Sequence, residues 1–147
     1  MQRLDPHYVV GFVDGEGCFI VSVSKHKTLK RGFEVRAEFE MELRADDREI
    51  LERIHKTLGC GRIYHLSYER YGWYPHVKLK VSNIKDLSDL LIPFFDTYPL
   101  QAKKRFVYYL FRTIVLMVKA KQHLTDTGFK KILALRDQIR VYSKKHY

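Results

Sequence analysis

Two acidic residues set among glycines are the part of the chain best suited to do chemistry. Asp14 and Glu16 lie within the segment from Gly11 to Gly17, and each is followed by a glycine. Carboxylate oxygens, together with backbone carbonyls that neighbouring glycines leave accessible, suit a hard cation such as Mg²⁺. The segment therefore predicts a divalent-metal site built from oxygen ligands.

A helix leading into these acids would have to position them. If residues 7–14 are helical, Gly11 and Gly15 share one face and leave it nearly bare of side chains. Small residues at this spacing let two helix backbones approach closely. The apolar residues that we expect to seal the contact are Val9, Val10 and Val13. The acids would then lie just past the helix end, beside a second helix.

The segment from Val9 to Gly17 resembles the LAGLIDADG motif of homing endonucleases. The resemblance implies that two motif helices pack at a two-fold or pseudo-two-fold axis. It also implies that Glu16 binds the catalytic metal, with the Gly15 carbonyl as a second ligand, and it leaves Asp14 either a catalytic or an architectural role. Mg²⁺ is the expected metal, and Mn²⁺ or Ca²⁺ could occupy the same site.

Composition favours one domain, residues 1–147, that binds a polyanion. The 27 Lys and Arg residues exceed the 17 Asp and Glu residues by +10, which points to nucleic acid. The longest apolar run, near Val107 to Val118, is too short and too interrupted to span a membrane. Isolated cysteines and no signal-peptide pattern predict an intracellular protein, in the cytoplasm or an organelle. No small-molecule substrate is expected.

Periodicity predicts an α+β domain with the order α-β-β-α-β-β-α-α-α. The strand from Phe33 to Glu42 alternates most clearly, and the C-terminal helices are expected within residues 101–143. This order is similar to the αββαββα fold of single-motif LAGLIDADG enzymes. That resemblance implies a four-stranded antiparallel sheet, backed by helices, that lies over DNA.

The side chains expected to face DNA are those on the polar side of each predicted strand, with lysines of the first hairpin loop. They are Ser22, Ser24, His26, Lys27, Lys30, Glu34, Arg36, Glu38, Glu40, Arg62, Tyr64, His76, Lys78 and Lys80. A row of glutamates facing a polyanion is costly, so we expect some of them to pair with Arg36 or neighbouring basic groups.

The family resemblance also implies a lysine that helps to organise the catalytic water. Lys103 and Lys104 are the candidates, and spacing does not separate them. A polar residue after the second strand is expected as well. Leu43 aligns at that position, so either Glu42 or Glu40 supplies the polar group or the water network differs.

One motif in the chain predicts a homodimer, since cutting two DNA strands requires two related sites. The expected interface residues are Val9, Gly11, Phe12 and Gly15. The function implied is site-specific double-strand DNA cleavage at a long, partly palindromic site. An RNA maturase or a DNA-binding regulator without cleavage activity on the same scaffold is the alternative.

Overall fold

The computed structural model describes residues 2–26, 28–29 and 32–143. Its helices and strands follow the order α1 (Pro6–Glu16), β1 (Gly17–Lys25), β2 (Phe33–Arg44), α2 (Arg48–Leu58), β3 (Arg62–Leu66), β4 (His76–Val81), α3 (Ile84–Asp86), α4 (Ile92–Thr97), α5 (Lys104–Lys119) and α6 (Asp126–Ser143). A π-helical turn, Leu87–Leu91, joins α3 to α4. The predicted α+β order is confirmed.

The four strands form one antiparallel sheet in the order β1-β2-β4-β3. Successive side chains of a strand point to opposite faces, so an alternating sequence buries one face. In β2, Ala37, Phe39, Met41 and Leu43 are buried, and the glutamates between them lie half-buried on the other face. The predicted sheet with one helix-covered face and one open face is confirmed.

Phe19 in β1 lies at the centre of the aromatic core. Its ring contacts those of Phe39, Phe95, Tyr108 and Phe111, with centroid distances between 5.1 and 5.7 Å. These partners come from β2, α4 and α5, so one side chain ties the first strand to a second strand and two helices. Because Phe19 follows α1 by three residues, this packing also fixes where α1 ends.

Helix α1 has defined signals at both ends. Asp5 caps its start, since its carboxylate accepts the His7 N–H at 2.8 Å, and Pro6 occupies the first turn. Gly17 is extended and begins β1. The helix is longer than the predicted residues 7–14, so Asp14 and Glu16 belong to its last turn instead of following it.

After β4 the sequence predicts a helix that is capped by Asn83 and ends at Ile92, before Pro93. The observed helical segment does not stop there. Asn83 caps its start as expected, accepting the N–H groups of Lys85 and Asp86. The segment then continues through Pro93 to Thr97, because a π-helical turn directly before Pro93 accommodates its ring and missing N–H. Burial of Leu91 and Phe95 makes this continuation favourable.

The buried face of α5 is rotated from the predicted one. Helical spacing predicts one apolar face made of Phe106, Tyr109, Leu110, Ile114 and Met117. Ile114 and Met117 are buried, but Phe106 and Tyr109 are 39% and 56% exposed. The buried residues of α5 are Val107, Tyr108, Phe111, Ile114, Val115 and Met117. Aromatic residues on both sides of this helix made periodicity alone ambiguous, and contact with the phenyl rings of the core decided the face.

Asp96 joins α4 to α5. Its carboxylate accepts hydrogen bonds from Nε and one terminal nitrogen of the Arg112 guanidinium, the shortest at 2.8 Å, and one from the Tyr108 hydroxyl at 2.8 Å. The hydrogen bond from Arg112 lowers the pKa of Asp96, burial opposes that shift, and the Tyr108 bond lowers it further. The carboxylate therefore favours the folded state when it is ionised.

We predict that Asp96→Asn lowers the free energy of unfolding at neutral pH by about 1 kcal/mol, since the pair is partly solvated. A depressed folded-state pKa gives stability that is full above the unfolded pKa near 3.8 and is lost as pH falls through the folded value. Urea unfolding of mutant and wild type should therefore converge in acid. Asp137→Asn, which removes an exposed ion pair, is the control. An undiminished difference in acid would contradict this assignment.

Candidate active site and sheet surface

The C-terminus of α1 and the segment that opens α5 bind each other reciprocally. The Asp14 carboxylate accepts the backbone N–H groups of Gln101 at 2.9 Å and Ala102 at 3.2 Å. The Lys104 ammonium group donates to the carbonyls of Val13 at 3.0 Å and Asp14 at 3.1 Å. Each side chain therefore bonds backbone groups at the end of the other segment, and the Val13 carbonyl accepts the Gly17 N–H as well. Asp14 therefore holds the end of α1 against the segment that opens α5.

Glu16 is the last residue of α1 and its side chain is exposed. In the described part of the chain, no group forms a hydrogen bond or ion pair with its carboxylate, in contrast to Asp14. The last carbonyls of a helix, here including that of Gly15, lack intrahelical partners and carry partial negative charge. A free carboxylate at the negative end of a helix favours a cation.

The two candidate lysines lie around one pocket but differ in environment. A pocket of about 280 Å³ is lined by both lysines together with Asp14, Gly17, Cys18 and Tyr142. Lys103 is exposed, whereas Lys104 is half-buried. Burial lowers the pKa of Lys104, against the opposing effects of Cys18, Asp14 and Glu16. Lys104 is thus held against α1, while Lys103 is free to reach outward.

The residues of α1 separate into a buried face and a bare face. Val9, Val10 and Val13 are at most 3% exposed and belong to the core of this chain. The predicted placement of Val9 in a dimer interface is therefore wrong, because α1 needs its valines to pack on its own sheet. The predicted sealing role of Val10 and Val13 fails for the same reason.

The bare face of α1 is open. A Cβ atom built on Gly11 or Gly15 would meet nothing within 4 Å, so neither glycine is required by packing inside the described chain. Gly17 differs, since a Cβ there would lie 2.7 Å from Val13 Cγ1. Phe12 is partly exposed beside this face and contacts the Tyr8 ring. The face is therefore accessible to another backbone.

The donor set at the end of α1 fits a divalent cation only in part. No cluster of three or more His, Cys, Asp or Glu side chains occurs among the described residues. Glu16 and the unpartnered carbonyls supply hard oxygen donors, but one carboxylate does not complete the coordination of Mg²⁺ or Ca²⁺. Any metal held here therefore needs oxygen ligands from outside this chain.

The open face of the sheet collects most of the predicted contact residues. Those on the described strands that lie together on it are Ser22, Ser24, Glu34, Arg36, Glu38, Glu40, Arg62, Tyr64, His76, Lys78 and Lys80. His26 lies just beyond β1, where its Nδ1 pairs with the Thr28 hydroxyl at 2.9 Å. Lys27 and Lys30 lie outside the described residues.

The glutamates of β2 form ion pairs with basic side chains on the same face. Glu38 lies 3.4 Å from the Lys80 ammonium group, Glu40 lies 3.5 Å from that of Lys78, and Arg36 bonds Glu34 at 3.1 Å. Glu42 accepts from His76 Nδ1 at 2.8 Å. The expectation that some glutamates pair with neighbouring basic side chains is confirmed. The positive and negative charges of the open face nearly cancel.

Leu43 cannot supply the expected polar group, because it is 8% exposed and faces the core. Glu40 lies directly across the sheet from Cys18, the second residue after Glu16. Burial raises the pKa of the Cys18 thiol, Lys104 lowers it and Glu40 raises it, so these groups share one environment. Glu42 is instead occupied by bonds from His76 and Tyr68.

Sequence reasoning missed two features near this site. Cys18 faces the open side of the sheet between Glu40 and the α5 lysine, although its lone position gave no signal. The loop from β3 to β4 carries a cluster of exposed aromatic rings. Four aromatic residues within the seven positions 68–74 were the available signal for that cluster.

The sequence of most of this domain matches a known protein family. The sequence model of the LAGLIDADG endonucleases matches residues 9–115, which include most of α1, the whole sheet and most of α5. The chain belongs to the LAGLIDADG endonuclease family. The motif that gives this family its name coincides with the helix that carries Asp14, Gly15 and Glu16.

Relatives within the LAGLIDADG family share the whole fold. Probable intron-encoded endonuclease 2 of Neurospora crassa is 32% identical over 134 residues, covering 90% of this chain and 28% of that protein. I-SmaMI bound to an uncleaved DNA target in the presence of calcium ions superimposes with a TM-score of 0.87 at 31% identity, over 95% of this chain and 46% of its own. The homing endonuclease I-TnaI superimposes with a TM-score of 0.81 at 31% sequence identity, over 97% of both chains.

The chain spans about a quarter of the length of three curated relatives that it matches. It corresponds to nearly all of the I-TnaI chain and to about half of the I-SmaMI chain. Within the described residues, no helix has the length and apolar character needed to cross a membrane.

We predict that Lys104→Met lowers the free energy of unfolding by about 1–2 kcal/mol, because it removes two charge-assisted bonds to the end of α1. Lys103→Met should change stability by less than about 0.5 kcal/mol, since that side chain is exposed. Chemical denaturation of the two variants measures both values. Equal effects would show that Lys104 does not hold the two helix ends together.

Proposed function

We propose that the protein is a site-specific DNA endonuclease that uses a divalent metal, Mg²⁺ by preference, and acts as a homodimer. Its substrate is a long, partly palindromic duplex, and each protomer hydrolyses one strand. The observation that carries this proposal is the exposed, unpartnered Glu16 carboxylate at the end of a helix whose adjoining glycine face is bare.

The dimer follows from the needs of that helix end. The open face at Gly11 and Gly15 can receive the same face of a second copy, which would bring two Glu16 carboxylates together at the two-fold axis. The second carboxylate and phosphate oxygens of DNA would complete an oxygen ligand set that one chain lacks. Phe12, partly exposed beside the glycines, lies at the rim of this contact.

The open face of the sheet is the proposed DNA-reading surface. Arg36 and Arg62 can donate to guanine edges, and glutamates can accept from cytosine amino groups. Their mutual ion pairs have a further consequence: Glu38 and Glu40, only 16% and 19% exposed, restrain Lys80 and Lys78. A balanced face binds arbitrary phosphates weakly, so a correct sequence must supply better partners than the ion pairs it replaces.

Side chains near Glu16 have distinct proposed roles. Glu16, with the Gly15 carbonyl, would hold the metal, which when bound activates water and neutralises charge on the phosphate. Lys104 positions the end of α1 through its two carbonyl bonds. Lys103, exposed at the same pocket, is the lysine available to contact the phosphate or the water. Glu40 is the polar side chain placed across from Cys18 to orient that water.

We predict that Glu16→Gln lowers cleavage at least about 1,000-fold while DNA affinity stays within about threefold, because a neutral amide is a poor cation ligand. Sites are first recovered by incubating the wild-type protein and Mg²⁺ with a randomised duplex library and sequencing the cut ends. Cleavage and binding of both proteins are then measured on that site. Glu49→Gln, an exposed acid on α2, is the control. Wild-type cutting by Glu16→Gln would refute the metal assignment.

We predict that Gly15→Leu weakens dimerisation at least about 100-fold, since the side chain would separate the two helices. The isolated protomer should stay folded, because the space around Gly15 within the chain is open. Gly17→Ala is the matched control: its Cβ would meet Val13, so it should destabilise the protomer itself. Sedimentation and thermal unfolding separate the two effects. A normally active Gly15→Leu dimer would exclude close glycine packing.

A further inference from the structure

The loop that joins β3 to β4, residues 67–75, carries an exposed aromatic cluster, which we call the aromatic loop. The Tyr71 and Trp73 rings lie with centroids 5.1 Å apart, and each contacts Tyr68, at 6.4 and 5.6 Å. Tyr71 is 52% exposed and Trp73 is 63% exposed. The turn Glu69–Tyr71, closed by Gly72 in the left-handed conformation, holds the rings together. The loop therefore presents apolar surface in a fixed arrangement.

This loop is attached to the open face of the sheet. The Tyr68 hydroxyl donates to Glu42 Oε2 at 3.1 Å, and His76 Nδ1 bonds the same oxygen at 2.8 Å. The Tyr68 and His76 rings also meet edge to face, with centroids 5.1 Å apart. Because Glu42 and His76 lie on the open face, the aromatic surface continues that face past the end of the strands.

Guanidinium groups accompany the exposed rings. Arg44, at the end of β2, lies 4.3 Å from the centroid of the Tyr74 ring, and Arg70 lies 4.7 Å from that of Tyr71. Arg44 also bonds the Asp46 carboxylate at 3.0 Å, so part of its guanidinium remains available to an anion beside the ring, as does that of Arg70. Apolar ring surface beside arginine suits nucleic acid, which offers sugar and base surfaces next to phosphates.

The strand register places this loop at the active-site end of the sheet. Strand β1 begins at Gly17, directly after Glu16, and pairs with Met41 near the end of β2. The loop leaves β3 after Leu66 and enters β4 at His76, which pairs with Arg44 at that same end of β2. The first hairpin turn lies at the opposite end. Duplex extending across the open face toward the cleavage site would thus pass the aromatic loop.

We propose that the aromatic loop is a separate DNA-contacting element that packs Tyr71 and Trp73 against sugars and base edges in a groove of the bound duplex. This inference rests on the proposed function only in placing duplex DNA on the open face. The balanced charge of that face leaves affinity to be supplied by other contacts, and the rings supply it by burying apolar surface. Arg44 and Arg70 bind the adjoining phosphates.

Trp73 is the single tryptophan of the chain, so tryptophan fluorescence reports on this loop alone. The full-length protein is titrated, in Ca²⁺ to prevent turnover, with a duplex that carries the recovered cleavage site. Binding is followed independently by the anisotropy of dye-labelled duplex. We expect Trp73 emission to change by at least about 30%, with the same midpoint as the anisotropy, because base contact alters the environment of the indole.

Substitution tests whether the contact contributes affinity. Trp73→Ala should weaken duplex binding by about tenfold or more, and Trp73→Phe, which keeps a ring, should weaken it less than about threefold. Tyr109→Ala removes an equally exposed ring from α5, on the helix side of the sheet, and should have no effect. Thermal unfolding of each variant verifies that its fold is retained.

Three outcomes would overturn the inference. Duplex binding seen by anisotropy with unchanged tryptophan emission and wild-type affinity of Trp73→Ala would remove the loop from the interface and leave the proposed endonuclease function intact. Stronger binding and quenching by a single-stranded oligonucleotide than by duplex would assign the rings to single-stranded nucleic acid. Lack of any duplex binding by anisotropy would overturn the proposed function together with this inference.

Discussion

The structure depends on the reciprocal bonding of two helix ends. The Asp14 carboxylate accepts the backbone N–H groups that precede α5, and the Lys104 ammonium group donates to the carbonyls at the end of α1. Helix ends leave backbone groups without partners, so two ends that satisfy each other with charged side chains fix their relative position. The position of Glu16, two residues beyond Asp14, is fixed by the same bonds, while its own carboxylate has no partner among the described residues. Asp14 thus bonds the neighbouring segment, and Glu16 is left exposed at the end of the helix.

Side chains also satisfy one another on the two faces of the sheet. Its helix-covered face is packed with aliphatic and aromatic side chains, and its open face holds acids and bases in cross-strand pairs. The chain carries a net charge of +10, yet the open strands contribute little of that excess. In the proposed complex, long-range attraction to DNA would come mainly from basic residues elsewhere, and the paired face and the aromatic loop would make the close contacts.

Much of the fold was predictable because the apolar pattern within a single strand or helix often indicates which of its faces is buried. The alternation in β2 and the cap at Asn83 are local, and both were confirmed. Errors arose where two faces of one helix were both apolar: α1 has valines beside its glycines, and α5 has aromatic residues on both sides. In such a helix the buried face is chosen by neighbours distant in sequence. Pro93 was a related case, since core burial carried the helix past it.

The sequence by itself determined the family motif, the element order, and the set of polar residues that share the open face, because each follows from spacing along a few residues. Tertiary structure alone decided that Val9 is a core residue, that Lys104 is bound to the end of α1 while Lys103 is exposed, and that Leu43 faces the core while Glu40 lies beside Cys18. It also brought the aromatic loop onto the face that β2 forms. These outcomes depend on strand register and helix docking, which join residues far apart in the chain.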